Sequence, residues 1–196
     1  MKKLAKLQAP LSMSQIDFRV QSVNKGKYVT ILAYKDARVD MQRLDEVVGP
    51  LGWKRRHIRD NHNCIVSIFN PETNEWVSKE DTGTESNAEA EKGLASDSFK
   101  RACFNWGIGR ELYDYPLIQF KLEDHEVMET TNGGWRPSYK LNLSNWKWYA
   151  EWDEDGKVSY LGCRDADGNV RFKWGEDKAS KEKRLKAEAK AKKEAA

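Results

Sequence analysis

Apolar positions recur with two different periods along this chain, and the changes of period outline its elements. Residues 28–34 (YVTILAY) are dense in β-branched and aromatic side chains, the pattern of a strand or of the start of a buried helix. In 38–48 (RVDMQRLDEVV), Met41, Leu44 and Val48 stand at i, i+3 and i+7, which predicts a helix that Gly49-Pro50 stops. Residues 52–58, 64–69 and 75–81 read as short strands, and Asn-Pro-Glu-Thr-Asn at 70–74 is a turn between the last two. Together they predict an antiparallel meander. The strongest helix follows. Ser86 and Glu89 have the spacing of a capping box, and Ala95, Phe99, Ala102, Cys103 and Trp106 fall on one apolar stripe before Gly107 and Gly109 end it. Neither a meander nor an amphipathic helix can bury its apolar side alone, so the helix is expected to lie across one face of the sheet.

The pattern changes again after residue 116. Trp135, Trp146, Trp148, Trp152 and Trp174 all fall in 117–177, and Asp155-Gly156 and Asp167-Gly168 each sit between short aromatic or β-branched runs, as hairpin turns do. Residues 178–196 are Lys, Ala and Glu with almost nothing else, and carry no apolar stripe, so they form a solvated helix or a disordered tail. The expected fold class is α+β: an antiparallel β-meander with a long amphipathic helix packed across it, a small β-rich extension and a basic tail. The expected division is 1–15, a basic N-terminal segment; 16–116, the core; 117–177, the Trp-rich extension; and 178–196, the tail.

Composition narrows the class. Hydrophobic residues make up 39% of the 196 and charged residues 33%, enough to bury a core beneath a heavily charged surface. No apolar run approaches the ~18 residues of a membrane span. The basic start, MKKLAKLQAPLSMS, lacks the continuous apolar core of a secretion signal. Cys64, Cys103 and Cys163 share no metal-binding spacing and cannot all pair, which fits a reducing cytoplasm. The net charge of +3 conceals an uneven distribution: 13 Lys and Arg against 6 Asp and Glu in 1–60, 13 against 22 in 61–177, and 8 against 3 in 178–196. A polyanion-binding protein needs its basic charge gathered in one place rather than a basic total. Ordinary surface scatter accounts for the same counts equally well.

Candidate chemistry is sparse. No GxxxxGK[ST] loop is present, and His57, His62 and His125 form no HExxH pattern. Residues 153–156 and 165–168 resemble calcium loops but lack the closing Glu, so turn acidity explains them better. Glu75, Glu80 and Asp81, near Lys79, suggest the paired carboxylates of a metal-dependent nuclease, although such residues are also common on solvated strands. Basic clusters are more prominent. Lys54, Arg55 and Arg56 follow Trp53; strand alternation sends Lys54 and Arg56 to one face and Arg55 to the other. Such charges suit phosphates, or equally the protection of an edge strand. Lys100 and Arg101 lie outside the apolar stripe. At ~100° per residue they diverge, so they suit a broad backbone track or two successive phosphates, or simply a solvated face.

The order of the pieces carries more than any one of them. Ala37-Arg38-Val39 opens a helix ending at Gly49, followed by Gly52-Trp53. A meander then leads to Lys79-Glu80-Asp81-Thr82-Gly83, followed by Lys92, by Asp97 to Ala102 (DSFKRA), by Asn105-Trp106-Gly107 and by Leu112-Tyr113-Asp114. Over about 16–115 this resembles the Rad52-like family of single-strand annealing proteins, in particular its short phage and bacterial members. The resemblance implies subunits set side by side in rings or open helical oligomers, with a basic groove that holds single-stranded DNA by its phosphates. It implies no nucleotide, no metal, no cofactor and no catalytic residue. Lys100 and Arg101 match the family's groove pair, Arg38 the Arg of its first helix motif, and Lys92 a basic position of the long helix. Lys54, Arg55 and Arg56 match no fixed family residue, and their place in the interface is inferred from charge. Gly83 and Gly107 match structural glycines. Phe104 stands where many members carry a third basic residue, and Trp106 where Phe is commoner.

The expected function is ATP-independent binding of single-stranded DNA and annealing of complementary strands in recombination and double-strand break repair. The expected partners are single-stranded DNA, further copies of the chain, and a phage exonuclease or a host single-strand-binding protein. The expected location is the cytoplasm, that of a bacterial host if the chain is phage-encoded, with no membrane contact. No recombinase-contacting region is recognised, so recombinase loading is not expected. Two alternatives stay open: a single-strand protector that does not anneal, and a metal-dependent nuclease. The 117–177 tryptophans suit base stacking or, in the main, a core.

Overall fold

The computed structural model describes residues 4–84 and 90–194, with side chains omitted at 90–92 and 190–194. The capping box at Ser86 and Glu89 lies outside the described residues. In chain order the elements are β1 (Asp17–Val23), β2 (Tyr28–Tyr34), α1 (Ala37–Val48), β3 (Trp53–Ile58), β4 (Asn63–Asn70), β5 (Glu75–Thr82), α2 (Ala90–Asn105), β6 (Ile118–Lys121), β7 (Val127–Glu129), β8 (Trp135–Pro137), β9 (Lys147–Trp152), β10 (Val158–Arg164), β11 (Val170–Gly175) and α3 (Lys178–Glu194). The architecture is mixed α+β with antiparallel sheets. No helix among the described residues is long and apolar enough to cross a membrane. The chain divides into two compact units, Met1–Asp17 with Lys35–Tyr113, and Phe18–Tyr34 with Asp114–Ala196.

The first unit is built on a three-stranded antiparallel sheet of order β3-β4-β5. In β4, Cys64, Val66 and Ile68 alternate onto one face and meet Phe99, Ala102 and Cys103 of α2 and Leu44 and Val47 of α1. The buried positions of α2 include Leu94 and Ser98 as well, whereas Ala95 stays half-exposed. The sequence stripe is thus shifted toward the preceding residues. Helix α1 begins where the Asp36 carboxylate accepts the Arg38 backbone N–H and ends at Gly49, whose φ is 85°. At the end of β5 the chain passes so close to α2 that a Cβ on Gly83 would lie 2.6 Å from the Ser98 backbone nitrogen. Only glycine tolerates that approach.

A buried ion pair fixes the start of α1. Lys35 and Asp40 are 2% and 0% exposed and pair directly, and the Lys35 Nζ lies 4.5 Å from the centre of the Phe104 ring. Burial pushes the Asp40 carboxyl up to about 6, against the pull of Lys35. The pair ties the residue before the Asp36 cap to the first turn of the helix it caps.

The second unit holds a five-stranded sheet of order β6-β2-β1-β8-β7 and a three-stranded sheet of order β11-β10-β9. Residues 18–34 belong to this unit and not to that of the meander. The physical reason is the alternation of β2, which turns Val29 and Ile31 onto Ile118 and Phe120 of its antiparallel partner β6. Residues 28–34 are therefore a strand and not the start of a helix. Trp146 is buried in this core, Trp148 stacks on Phe18 at 3.7 Å, and Trp135, Trp148 and Trp152 are half-buried. Beneath them Arg171 makes a bidentate pair with Glu126, at 2.9 and 2.6 Å. Burial raises the Glu126 carboxyl, but the Arg171 hydrogen bonds and charge, together with the Glu123 backbone N–H, hold the group below its ordinary value. The two Asp-Gly hairpins form as expected, with Gly156 and Gly168 at φ 76° and 89°. The acidic turn residues are spent on the turns themselves: Asp153 accepts the Asp155 and Lys157 N–H groups, and Asp165 those of Asp167 and Asn169. The segment 178–194 is helical, and its side chains through 189 are exposed.

Candidate nucleic-acid interface

The basic residues singled out in the sequence fall on two sides of the first unit's sheet. Strand register sets the division. Trp53, Arg55 and His57 of β3 pair with Ile68, Val66 and Cys64, and these with Val77, Lys79 and Asp81 of β5, so this set shares the face that α1 and α2 cover. Lys54 and Arg56 point to the reverse face, with Ile65, Ser67, Trp76 and Ser78.

On the helix side, three of the predicted residues gather around the two helices. Arg38 is exposed in the first turn of α1, and its Nε donates to Asp36 at 2.8 Å. The Asp36 carboxyl is held below its ordinary value by Arg38, through side chain and backbone, and further by the charge of Lys100. Lys100 also acts on Asp40. The start of α1 and the middle of α2 thus bring Arg38 and Lys100 into one electrostatic neighbourhood. Arg55 is exposed at the edge of the same face, with its guanidinium 4.7 Å from the centre of the Phe99 ring, one residue before Lys100. It helps burial to depress His57, which keeps that ring neutral at neutral pH.

Arg101 diverges from Lys100, as helical geometry requires, and faces β5. Its Nε lies 3.5 Å from the Asp81 carboxylate, and Asn105 donates to the same carboxylate at 3.2 Å. Lys79 extends this strip: it donates to the Asn105 carbonyl at 2.6 Å and lies 4.6 Å from the centre of the Trp106 ring. Arg101 is therefore a partly neutralised cation, whereas Lys100 has two carboxylates in its field. Lys92 belongs to α2, and its side chain lies outside the described residues.

On the reverse face, the Lys54 Nζ sits 4.0 Å above the Trp76 ring, and Ser67 and Ser78 share a hydrogen bond at 2.8 Å. Together with Arg56 these residues line a shallow depression. The sequence reading missed Trp76 here. The 70–74 turn contains its signal, because fixing the β4–β5 register by that turn places Trp76 and Lys54 on one face. It also missed the carboxylates that hold the basic residues, Asp36 and Asp81. Asp36 is legible as a cap immediately before the helix; Asp81 becomes visible only once β5 lies beside α2.

The nuclease alternative loses its residues. Along β5 the side chain of Glu80 faces away from those of Glu75 and Asp81, and Glu80 accepts a hydrogen bond from Asn63. Asp81 is taken by Arg101 and Asn105, and Glu75 stands at the far end of the strand. These three carboxylates do not converge. The three cysteines are buried and free, and burial raises each thiol, with Cys64 pushed up to about 11 and Cys163 to about 12. None is a poised nucleophile.

Comparison with known proteins agrees with the order of motifs. Residues 70–130 match the family described as Rad52/22 family double-strand break repair protein. Two relatives named single-stranded DNA-binding protein DdrA, from Deinococcus radiodurans and Deinococcus deserti, are each 32% identical over 114 residues. The alignment covers 57% of this chain and 54% and 56% of the two relatives, so the chain spans about half the length of the curated relatives it matches. The matched family segment runs from the end of β4 through β5 and α2 to β7, and includes Lys100 and Arg101.

Proposed function

We propose that this chain, which carries a Rad52-like segment, is a non-enzymatic protein that binds single-stranded DNA on the helix side of its first unit. In this reading Lys100, Arg38, Arg55 and Arg101 grip successive phosphates, and the protein promotes pairing of complementary strands without ATP, in recombination and double-strand break repair. The observation that supports the reading is that Arg38, by hydrogen bond, and Lys100, by charge, both act on the Asp36 carboxylate, within a chain that carries a Rad52-like segment. Phosphate contacts do not read sequence, which is what a protein indifferent to the paired sequence needs. Weak sites repeated along one strand add by avidity, so assembly of several copies in a ring or helical array belongs to the proposal. A nuclease or host single-strand-binding partner belongs to it too, as does action in the cytoplasm.

A second reading, protection of single strands without annealing, is favoured by the names of the DdrA relatives, which mention binding alone. Binding itself is tested by titrating a fluorescent oligonucleotide in chelator at several salt concentrations. Affinity is expected to fall steeply, with the log–log slope set by roughly 0.7 per phosphate neutralised. A flat salt dependence, or preference for duplex over single strand, would remove the phosphate-groove reading.

A further inference from the structure

The second unit presents an aromatic and basic sheet face that the proposed groove does not use. In the sheet β9–β11, Trp148, Ala150, Leu161, Cys163 and Phe172 pack into the unit's core. The alternate positions point the other way: Lys147 and Tyr149 on β9, Tyr160, Gly162 and Arg164 on β10, and Lys173 on β11. Register places them in rows. Gly162 is flanked by Tyr149 and Lys173, and Arg164 pairs with Lys147 in the next row. Tyr149 is 47% exposed, and Lys147, Arg164 and Lys173 are exposed.

The glycine at the centre sets the shape of this face. A Cβ on Gly162 would lie 2.7 Å from the Tyr160 hydroxyl oxygen and 3.1 Å from its ring carbon Cζ. The Tyr160 ring therefore lies down along its own strand over Gly162 instead of standing off the sheet. A ring in that posture lies along the sheet face, half-buried, in the same rows as the exposed Tyr149, with the Lys173 ammonium 5.8 Å from its centre. The acidic neighbour is occupied: the Glu151 carboxylate, opposite Tyr160, accepts the backbone N–H of Lys178 at 2.7 Å. The Lys173 ammonium lies 3.7 Å from the half-buried Asp177 carboxylate, and the exposed Arg164 donates to the Gly168 carbonyl, a neutral partner.

We infer that this face is a second single-strand platform, on which unpaired bases stack against Tyr149 and Tyr160 while Lys147, Arg164 and Lys173 hold the flanking phosphates. Bases in a duplex hide their faces from such a surface, and unpaired bases offer them without regard to sequence. The inference takes from the proposed function only the class of ligand, a single strand. It assigns the β-rich segment a role of its own, carried by tyrosines and not by the tryptophans, most of which are core.

The test uses the full chain and an oligothymidylate substituted with 5-iodouracil. Ultraviolet cross-linking followed by peptide mapping is expected to give adducts at Tyr149 or Tyr160. Tyr149→Ala with Tyr160→Ala should weaken single-strand binding by about tenfold or more, as the loss of stacked bases requires, and leave binding of polyphosphate unchanged. Tyr149→Phe with Tyr160→Phe keeps both rings and should keep the affinity, which separates stacking from a folding defect. Adducts confined to the first unit, with wild-type affinity in the alanine variant, would overturn the platform. Equal losses on oligonucleotide and polyphosphate would reduce it to a patch of charge and overturn it also. In Lys100→Ala with Arg101→Ala, the tyrosine adducts should persist although affinity falls. If that variant instead keeps full affinity and the tyrosine variant alone loses it, the groove reading fails and the platform stands.

Discussion

Lys100→Ala combined with Arg101→Ala is expected to weaken single-strand binding by about two orders of magnitude at moderate salt. Two charge-assisted contacts at roughly 1.5 kcal/mol each give that loss, and the log–log salt slope should shallow by about 1.4. The fold should survive, because among the described residues of α2 the buried ones are Leu94, Ser98, Phe99, Ala102 and Cys103, and neither basic residue is among them. The two single variants should differ. Arg101 already lies 3.5 Å from the Asp81 carboxylate, so part of its charge is spent within the protein, whereas Lys100 acts on Asp36 and Asp40 through its charge alone. Lys100→Ala is thus expected to account for the larger share of the loss. Fluorescence titration over a range of salt measures both quantities, and thermal melting checks the fold. Wild-type affinity in the double variant would remove α2 from the interface.

The second large effect concerns stability. Lys35→Met should destabilise the first unit by about 3–5 kcal/mol at neutral pH, because it leaves the Asp40 carboxylate buried without its cation. Lys35→Met with Asp40→Leu should recover most of that loss, since an apolar pair of similar volume leaves no stranded charge. The pH dependence has a definite sign. The Asp40 carboxyl titrates at about 6 when folded, against an ordinary 3.8. A raised carboxyl contributes stability that is full below the unfolded value and is lost as pH rises through the folded one. A shift of about two units corresponds to roughly 3 kcal/mol. The penalty in Lys35→Met should therefore shrink as pH falls from 7 toward 4, where Asp40 is protonated, and the double variant should lack this dependence. Urea unfolding at pH 4.5 and 7 measures it. Equal penalties at both pH values would contradict an Asp40 whose charge is held by Lys35.

Much of the first unit was legible because its information is local. Helix α1 follows from its cap, its spacing and Gly49, and the strands from alternation and the 70–74 turn. What stayed hidden depends on contacts distant in sequence. The pairing of β2 with β6, nearly a hundred residues away, decides that 18–34 joins the second unit, and nothing within YVTILAY announces it. Nothing local marks Lys35 and Asp40 as a buried pair; their burial, with Lys35 against the Phe104 ring, belongs to the fold. In the extension, tryptophan drew the eye by its rarity, yet the register of β9–β11 turns Trp148 inward and Tyr149 outward. One residue of offset separates core from surface there, and composition cannot resolve it. The basic residues of the candidate interface were all visible, and strand alternation already separated Arg55 from Lys54 and Arg56; what the sequence did not show is that Arg38 and Lys100 act on one carboxylate, Asp36.

The most direct measurement is the annealing rate of two complementary oligonucleotides in chelator, without nucleotide, with and without the protein. A protein that holds strands by their phosphates and leaves bases free should accelerate pairing with neither metal nor ATP, and Lys100→Ala with Arg101→Ala should abolish most of the gain. Tight single-strand binding with pairing unchanged or slowed would contradict annealing and leave a protector of single strands.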